Sequence, residues 1–301
     1  MELRVLKYFL AVAREGSVTA AAHSMHVTQP TLSRQLQELE DELGQKLFIR
    51  SNNHNAVLTP EGILLRKRAE DILEMVHKTE NEFSSMGEDV AGDIYIGGGE
   101  SDAMRRILRI IKSLQEEHPN IHCHVYSGNA EDVMDKLDGG TLDFGVLIQP
   151  VDVDKYNHLS LPDEDIWGVL MRNDHPLAEL KQITPEDLRD EPLICSRRVI
   201  CRSGVKNACA QWFGKDFARI NVVATYNLIF NAALMVEEGI GCALAMDKLA
   251  EVQQHSNLCF RPLSPRLTSG LELVWKKQQI FSTASELFLE RVRETLAEVC
   301  F

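Results

Sequence analysis

At 301 residues and 44% hydrophobic composition, the chain can bury more than one core. It reads as having neither a signal peptide nor an apolar run near the ~20 residues that span a bilayer, so a cytoplasmic protein without a membrane partner is expected. Seven cysteines, with no Cys-x-x-Cys pair, exclude a disulfide framework and a zinc ribbon, and no cofactor or metal is expected. The formal charge of −13 divides unevenly: residues 1–68 carry nine Lys/Arg against seven Asp/Glu, or +2, leaving 23 against 38, or −15, for the rest. Only the first segment suits phosphate, and the acidic remainder repels nucleic acid.

Leu3, Leu6, Phe9, Leu10 and Ala13 recur at helical spacing, and Gly16 followed by Ser17 supplies a stop and a new N-cap. The small residues Ala20, Ala21 and Ala22 let a second helix approach closely, and Thr28 is a further cap. In the third helix Leu32, Leu36, Leu39 and Leu43 share one face, while Gln29, Ser33 and Gln37 share another with Pro30 and Arg34 beside them. The second face suits a DNA major groove, because Gln bonds adenine, Arg pairs with guanine or phosphate, and Ser and Thr serve either. Such a face also occurs on ordinary solvated helices. The segment after Gly44 strengthens the DNA reading: an apolar run from Lys46 to Arg50, a polar turn over residues 51–55 and the run Val57-Leu58-Thr59 read as a β-hairpin wing.

With these residues in place the sequence resembles the LysR-type transcriptional regulators. The resemblance is carried by Phe9 to Ala13, Gly16 to Ala22, Val27 to Leu36, Leu39-Glu40, Leu43-Gly44, Lys46 to Arg50 and Leu58 to Gly62. It implies that Gln29, Pro30, Thr31, Ser33 and Arg34 lie at the DNA, with Ser17 and Arg50 near its backbone. Gln37 extends the reading face and His54 represents the wing. That turn departs from the family pattern, which places extra Arg or Lys where this chain has only His54 among asparagines. Fewer counterions should therefore be released on binding.

Thr59-Pro60 caps a long helix, which is expected to run to Met86. Leu65, Ala69, Ile72, Val76, Thr79, Phe83 and Met86 step by four and three along it, the spacing of a pairing seam. The same stripe could instead dock on its own domain. Pairing is favoured because one reading helix covers few base pairs and a homodimer doubles the contact; the resemblance implies dimers that assemble further into tetramers. The expected units are 1–58 for the winged helix-turn-helix, 59–88 for the dimerisation helix and 89–301 for a third domain.

In that domain strand-like and helix-like segments alternate: Ile94 to Ile96, a helix from about Asp102 to Glu117, Ile121 to Tyr126, a helix near Ala130 to Leu137, and Leu142 to Ile148. A second set runs from Ile166 to Met171 through Pro192 to Cys195, a helix after Ser203, Ile220 to Ala224 and a helix from Asn227 to Glu238. The strand Leu271 to Trp275 and the helix Ser282 to Val299 return to the first set past Pro262 and Pro265. The fold class is therefore α/β overall, two lobes with mainly parallel strands (89–163 with 266–301, and 164–265) behind an all-α N-terminal domain. The resemblance implies a periplasmic-binding-protein-like effector domain with a small-molecule effector between the lobes.

Ligands of open α/β sheets bind outside the carboxyl ends of strands. The candidates there are Gly99, Glu100, Ser101, Asn129, Gln149, Pro150, Ser196, Arg197, Thr225 and Asn227, each of which could equally cap a helix or shape a turn. Gly97-Gly98-Gly99 does not complete Gly-x-Gly-x-x-Gly, which excludes a dinucleotide site. Glu100 and Asp102 favour a neutral or cationic effector over an anion. Cys201 and Cys209 raise a thiol-sensing alternative, which packed, reduced cysteines oppose. His122 and His124 share a strand face, with no carboxylate placed near them by sequence. No nucleophile elbow, P-loop or His-Glu-x-x-His motif supports an enzyme on the two-lobe body. The expectation is a DNA-binding transcription regulator, acting on double-stranded promoter DNA under a small-molecule effector.

Overall fold

A computed structural model describes residues 1–50, 56–84, 90–200, 208–250 and 257–299 and divides the chain into two units, Met1–Ser84 and Ser85–Phe301. In the first, α1 (Leu3–Glu15), α2 (Val18–Ser24) and α3 (Gln29–Leu43) precede a short hairpin of β1 (Phe48–Arg50) and β2 (Ala56–Leu58), and α4 (Pro60–Ser84) follows. Gly16 ends α1 with φ 64° and Gly44 ends α3 with φ 67°, left-handed turns that glycine adopts without a Cβ penalty. Ser17 then caps α2, its hydroxyl accepting the Ala20 N–H at 3.4 Å. The Ala56 N–H reaches Gly16 O at 2.8 Å, tying the hairpin to the end of α1.

The core of this unit joins Leu6, Phe9 and Val12 of α1 to Leu32, Leu36 and Leu39 of α3, with Leu47 below them. Two expected core positions fall outside it. Leu3 and Leu43, 44% and 41% exposed, occupy the terminal turns of their helices, while Val5 and Tyr8 complete the α1 face. Glu40 organises the approach to the hairpin, accepting from Lys46 Nζ at 2.6 Å and the Leu47 N–H at 2.9 Å. Burial pushes its carboxyl up, but the Lys46 hydrogen bond and charge and the Leu47 and Phe48 N–H groups together hold it below the usual range. Thr59 caps α4, bonding Lys46 O at 2.7 Å and accepting the Gly62 N–H at 2.9 Å.

The α4 stripe serves its own unit in part. Ala69 is fully buried, and Leu65 and Ile72, half-buried, lie against the core of their own unit, so the first turns of α4 cover α1 and Ala69 has no surface to offer a partner helix. Val76 is half-buried and Phe83 is 67% exposed. Ile63 and Leu64, outside the expected seam, are 61% and 60% exposed. Met86 lies outside the described residues.

The second unit runs β3 (Gly92–Gly98), α5 (Met104–Glu117), β4 (Ile121–Ser127), α6 (Ala130–Gly139), β5 (Phe144–Ile148) and the long β6 (Tyr156–Arg172). Then come β7 (Pro192–Ser196), α7 (Arg197–Ile200), α8 (Ala208–Phe213), β8 (Asn221–Tyr226), α9 (Ile229–Glu237), β9 (Cys242–Met246), β10 (Leu258–Pro262), β11 (Thr268–Lys276) and α10 (Thr283–Val299). The strands order as β4-β3-β5-β11-β6-β9-β7-β8, with β10 also on β6. β6 belongs to both lobes: it pairs with β11 up to Ile166 and with β9 from Trp167. The register of β6 on β11 shifts between Gly270 and Leu271, which oppose Glu164 and Leu161, leaving Pro162, which has no N–H, in the bulge.

Two sequence expectations change here. The sheet is mixed rather than mainly parallel, since β11 runs antiparallel to β5 and β6, and β6 runs antiparallel to β9 and β10, while β9 and β8 lie parallel to β7; a chain that crosses between lobes twice needs return strands. Helices α5 and α9 begin at Met104 and Ile229, two residues later than expected, because residues 102–103 form a turn and residues 227–228 a bend. In the first lobe Ile94, Ile96, Phe144 and Leu273 meet Ile107, Ile111 and Phe288 of α5 and α10. The second lobe packs around Val169, Leu193, Leu244 and Phe213 on one face and Ala232 and Val236 of α9 on the other.

Candidate DNA interface and effector cleft

Helix α3 separates its two faces cleanly. Leu32, Leu36 and Leu39 are buried, whereas Gln29, Pro30, Thr31, Arg34 and Gln37 are exposed and Ser33 is half-buried. Gln29 Nε2 donates to Ser33 Oγ at 2.7 Å, and the hydroxyls of Thr28 and Thr31 lie 2.8 Å apart. Thr28 places α3 without a side-chain bond to the helix backbone, so Pro30, which lacks an N–H, removes one orphan donor at the first turn. The Arg34 side chain is 73% exposed, and its contact with Glu38 at 3.5 Å is a solvent-screened pair that costs little to exchange for phosphate or base. The side chain of Arg50 and the whole of His54 lie outside the described residues.

The strand-end residues of the second unit divide into two groups. Gln149 and Pro150 enter a cavity of about 450 Å³ that also takes in Val151, Val153, Ala208, Gln211, Thr268, Ser269 and Glu272. The others are occupied elsewhere or stand apart from it. Asn129 caps α6, accepting the Asp132 N–H at 3.0 Å; Ser101 accepts the Ala103 N–H at 3.1 Å; Asn227 Oδ1 accepts the Leu228 N–H at 3.1 Å. The Glu100 carboxylate accepts the Ile229 N–H at the start of α9, joining the two lobes. Gly99 sits so close to Ile148 that a Cβ would come within 2.9 Å of its Cδ1. Ser196 is half-buried, and Arg197 and Thr225 are exposed.

Glu272 was hidden from sequence reasoning. It stands between Leu271 and Leu273 in β11, is 6% exposed, and accepts from Gln149 Nε2 at 2.6 Å and from Ser160 Oγ at 2.9 and 3.1 Å. A lone acidic residue in an apolar strand was the available signal. Near the same lobe crossing Asp165 is 1% exposed, and its Oδ2 has no hydrogen-bond partner. Burial raises its carboxyl above 3.8; the Ser101 hydroxyl and Asp102 N–H oppose this, and the Asp247 and Asp102 charges add to it. A carboxyl raised in the folded state contributes most to stability when protonated, and that contribution is lost as pH rises through the raised value. Asp165→Asn is accordingly expected to raise Tm at pH 7, with the gain shrinking as pH falls toward the ordinary Asp range. Thermal unfolding at both pH values checks this, and a lower Tm at pH 7 contradicts it.

A model of the bacterial regulatory helix-turn-helix protein of the lysR family matches residues 3–63, and a model of the LysR substrate binding domain matches residues 87–297. The chain belongs to the LysR family. The uncharacterized HTH-type transcriptional regulator YvbU of Bacillus subtilis (strain 168) is 26% identical to it, with 98% of both chains covered. A hydrogen peroxide-inducible genes activator of Pectobacterium carotovorum subsp. carotovorum is 30% identical over 98% of this chain and 96% of that one. The crystal structure of full-length CbnR complexed with its target DNA shares the fold at a TM-score of 0.76 and 20% identity, covering 98% of this chain and 99% of the other. This LysR-family protein is a DNA-binding transcription regulator with a substrate-binding domain. No described helix is long and apolar enough to cross a membrane.

Other reactive groups of this LysR regulator have structural partners. Parallel pairing sets Asp93 of β3 opposite His122, 4.0 Å from His122 Nδ1 and 3.1 Å from His124 Nε2, supplying the carboxylate that sequence separation concealed. His175, Glu191 and Cys242 also converge, with His175 Nε2 at 3.4 Å from the carboxylate and 3.6 Å from the sulfur. His175 Nδ1, however, accepts the Leu177 N–H at 3.2 Å, which leaves the ring proton on Nε2, facing Glu191. A metal there would have to displace that proton from a ring whose other nitrogen is already an acceptor. Burial, with Glu191 adding, pushes the Cys242 thiol up to about 12, and burial takes Cys195 to about 12 and Cys123 to about 11. Cys209 is buried in α8 beside Phe213, and Cys201 lies outside the described residues.

Proposed function

We propose that this regulator reads double-stranded promoter DNA with Gln29, Thr31, Ser33, Arg34 and Gln37 in the major groove, Pro30 setting the helix entry. Ser17, Arg50 and His54 contact the flanking DNA backbone. Residues 1–58 form the reading domain, 59–88 the pairing helix and 89–301 the effector domain. A small molecule held between the lobes changes their angle and with it the spacing of paired reading helices. Gln149 and Pro150 are at the centre of its site, and Gly99, Glu100, Ser101, Asn129, Ser196, Arg197, Thr225 and Asn227 form the wider rim. The regulator performs no catalytic step, and it works in the cytoplasm, where promoter DNA is. The observation that carries the reading is the division of α3, whose polar face stands exposed while Leu32, Leu36 and Leu39 fix the helix in the core.

Pairing is supported by the exposed apolar residues on α4, Ile63, Leu64 and Phe83, which lie near its two ends and are covered when two copies meet about a two-fold axis. Val76 lies between them. Leu64→Glu should shift the full chain toward monomer in sedimentation velocity and lower DNA affinity by more than tenfold. An unchanged assembly with unchanged affinity would remove α4 from the interface and with it the paired reading.

A further inference from the structure

We propose that the effector is a cation, an amine on a small apolar body, recognised by the buried carboxylate of Glu272. This rests on the reading of the lobe cleft as the effector site and names the chemistry of its ligand. Taking a carboxylate out of water is costly unless charge or hydrogen bonds replace the lost hydration. Glu272 has only neutral donors, the amide of Gln149 and the hydroxyl of Ser160. Among the described residues no Lys, Arg or His lies within ion-pair distance of it. The Ser160 hydroxyl carries one proton, shared between the two oxygens at 2.9 and 3.1 Å, so two donors serve a group with about four acceptor positions. Glu272 lines a cavity of about 450 Å³, a volume suited to a small ligand.

The rest of the site fits the same class. Gly270 leaves room for the Gln149 side chain that orients Glu272, since a Cβ there would stand 2.9 Å from Gln149 Oε1. Val151, Val153 and Ala208 supply apolar contact, and Gln211 a polar group that either donates or accepts. Glu100 already occupies the start of α9, where an anion would otherwise be favoured. Glu272 is the only formally charged side chain among the described lining residues. An anionic ligand would meet its charge with no counter-charge among the described lining residues; an ammonium group would neutralise it.

Calorimetric titration and thermal shift of the full-length protein with benzylamine, benzyl alcohol and benzoate, matched in size and different in charge, test the assignment. Benzylamine should bind and raise Tm, while benzoate should do neither. The isosteric Glu272→Gln should weaken benzylamine at least tenfold, and Gln211→Glu, which adds a second carboxylate to the cavity wall, should tighten it severalfold. The Gln211→Glu arm holds even if Glu272→Gln fails to fold. Binding of benzoate or benzyl alcohol in preference to the amine would overturn the charge class while leaving the cavity a ligand site. Absence of binding by all three would overturn both.

Discussion

Arg34→Ala is expected to lower the affinity of the dimer for its DNA site by roughly 30-fold to 10⁴-fold. Each lost Arg contact to a base or phosphate costs about 1–3 kcal/mol, and a symmetric dimer loses it twice, giving roughly 2–6 kcal/mol. The effect should be large because Arg34 gives up little on binding: it meets Glu38 at 3.5 Å through a side chain that is 73% exposed. The nearly neutral first segment has few cations to compensate. A salt series separates the two kinds of contact. If Arg34 meets phosphate, the slope of log K against log salt falls by about one per subunit; if it meets a base edge, the slope holds and sequence preference relaxes. Unchanged affinity at every salt concentration would remove Arg34 from the interface.

Phe9→Ala should destabilise the first unit by about 3–5 kcal/mol, the cost of emptying a fully buried aromatic site. Phe9 is 0% exposed, touches the wing through Phe48 at a ring separation of 5.3 Å, and shares its core with α3 and α4. Against a typical stability of about 5–15 kcal/mol, that loss is a large fraction of the total. The cores of the second unit contain none of these residues, so its unfolding transition should keep its temperature while DNA binding is lost. Differential scanning calorimetry with a binding assay checks this, and an equal shift of all transitions would contradict it.

Position along the chain decided what could be read in advance. The reading helix was legible because its leucine spacing, its polar face, the Gly16 and Gly44 stops and the family motif all fall within about sixty residues of one another. The stretch from Tyr156 to Asp165 was not, since His158, Ser160, Pro162, Asp163 and Glu164 describe a loop by composition. They form a strand because β11 arrives from more than a hundred residues downstream to pair with it, with the proline excused by a bulge. Glu272 was concealed in the same way, its partners Gln149 and Ser160 lying 123 and 112 residues away. For Asn129 and Asn227 the alternative cap and turn roles describe their observed bonds. The α4 stripe was ambiguous for a different reason: one periodic face can serve its own domain and a partner alike, and only the packing of Ala69 on the core shows where the first turns go.

Paired copies of α3 reading DNA sequence should be visible most directly in the selection of random duplexes by the full-length protein. The expected result is enrichment of a two-fold related site whose half-sites are separated by about one helical turn or a multiple of it, with the enriched bases changing when Gln29 and Arg34 are replaced by alanine. Enrichment of no sequence, or of one that survives both replacements unchanged, would contradict it.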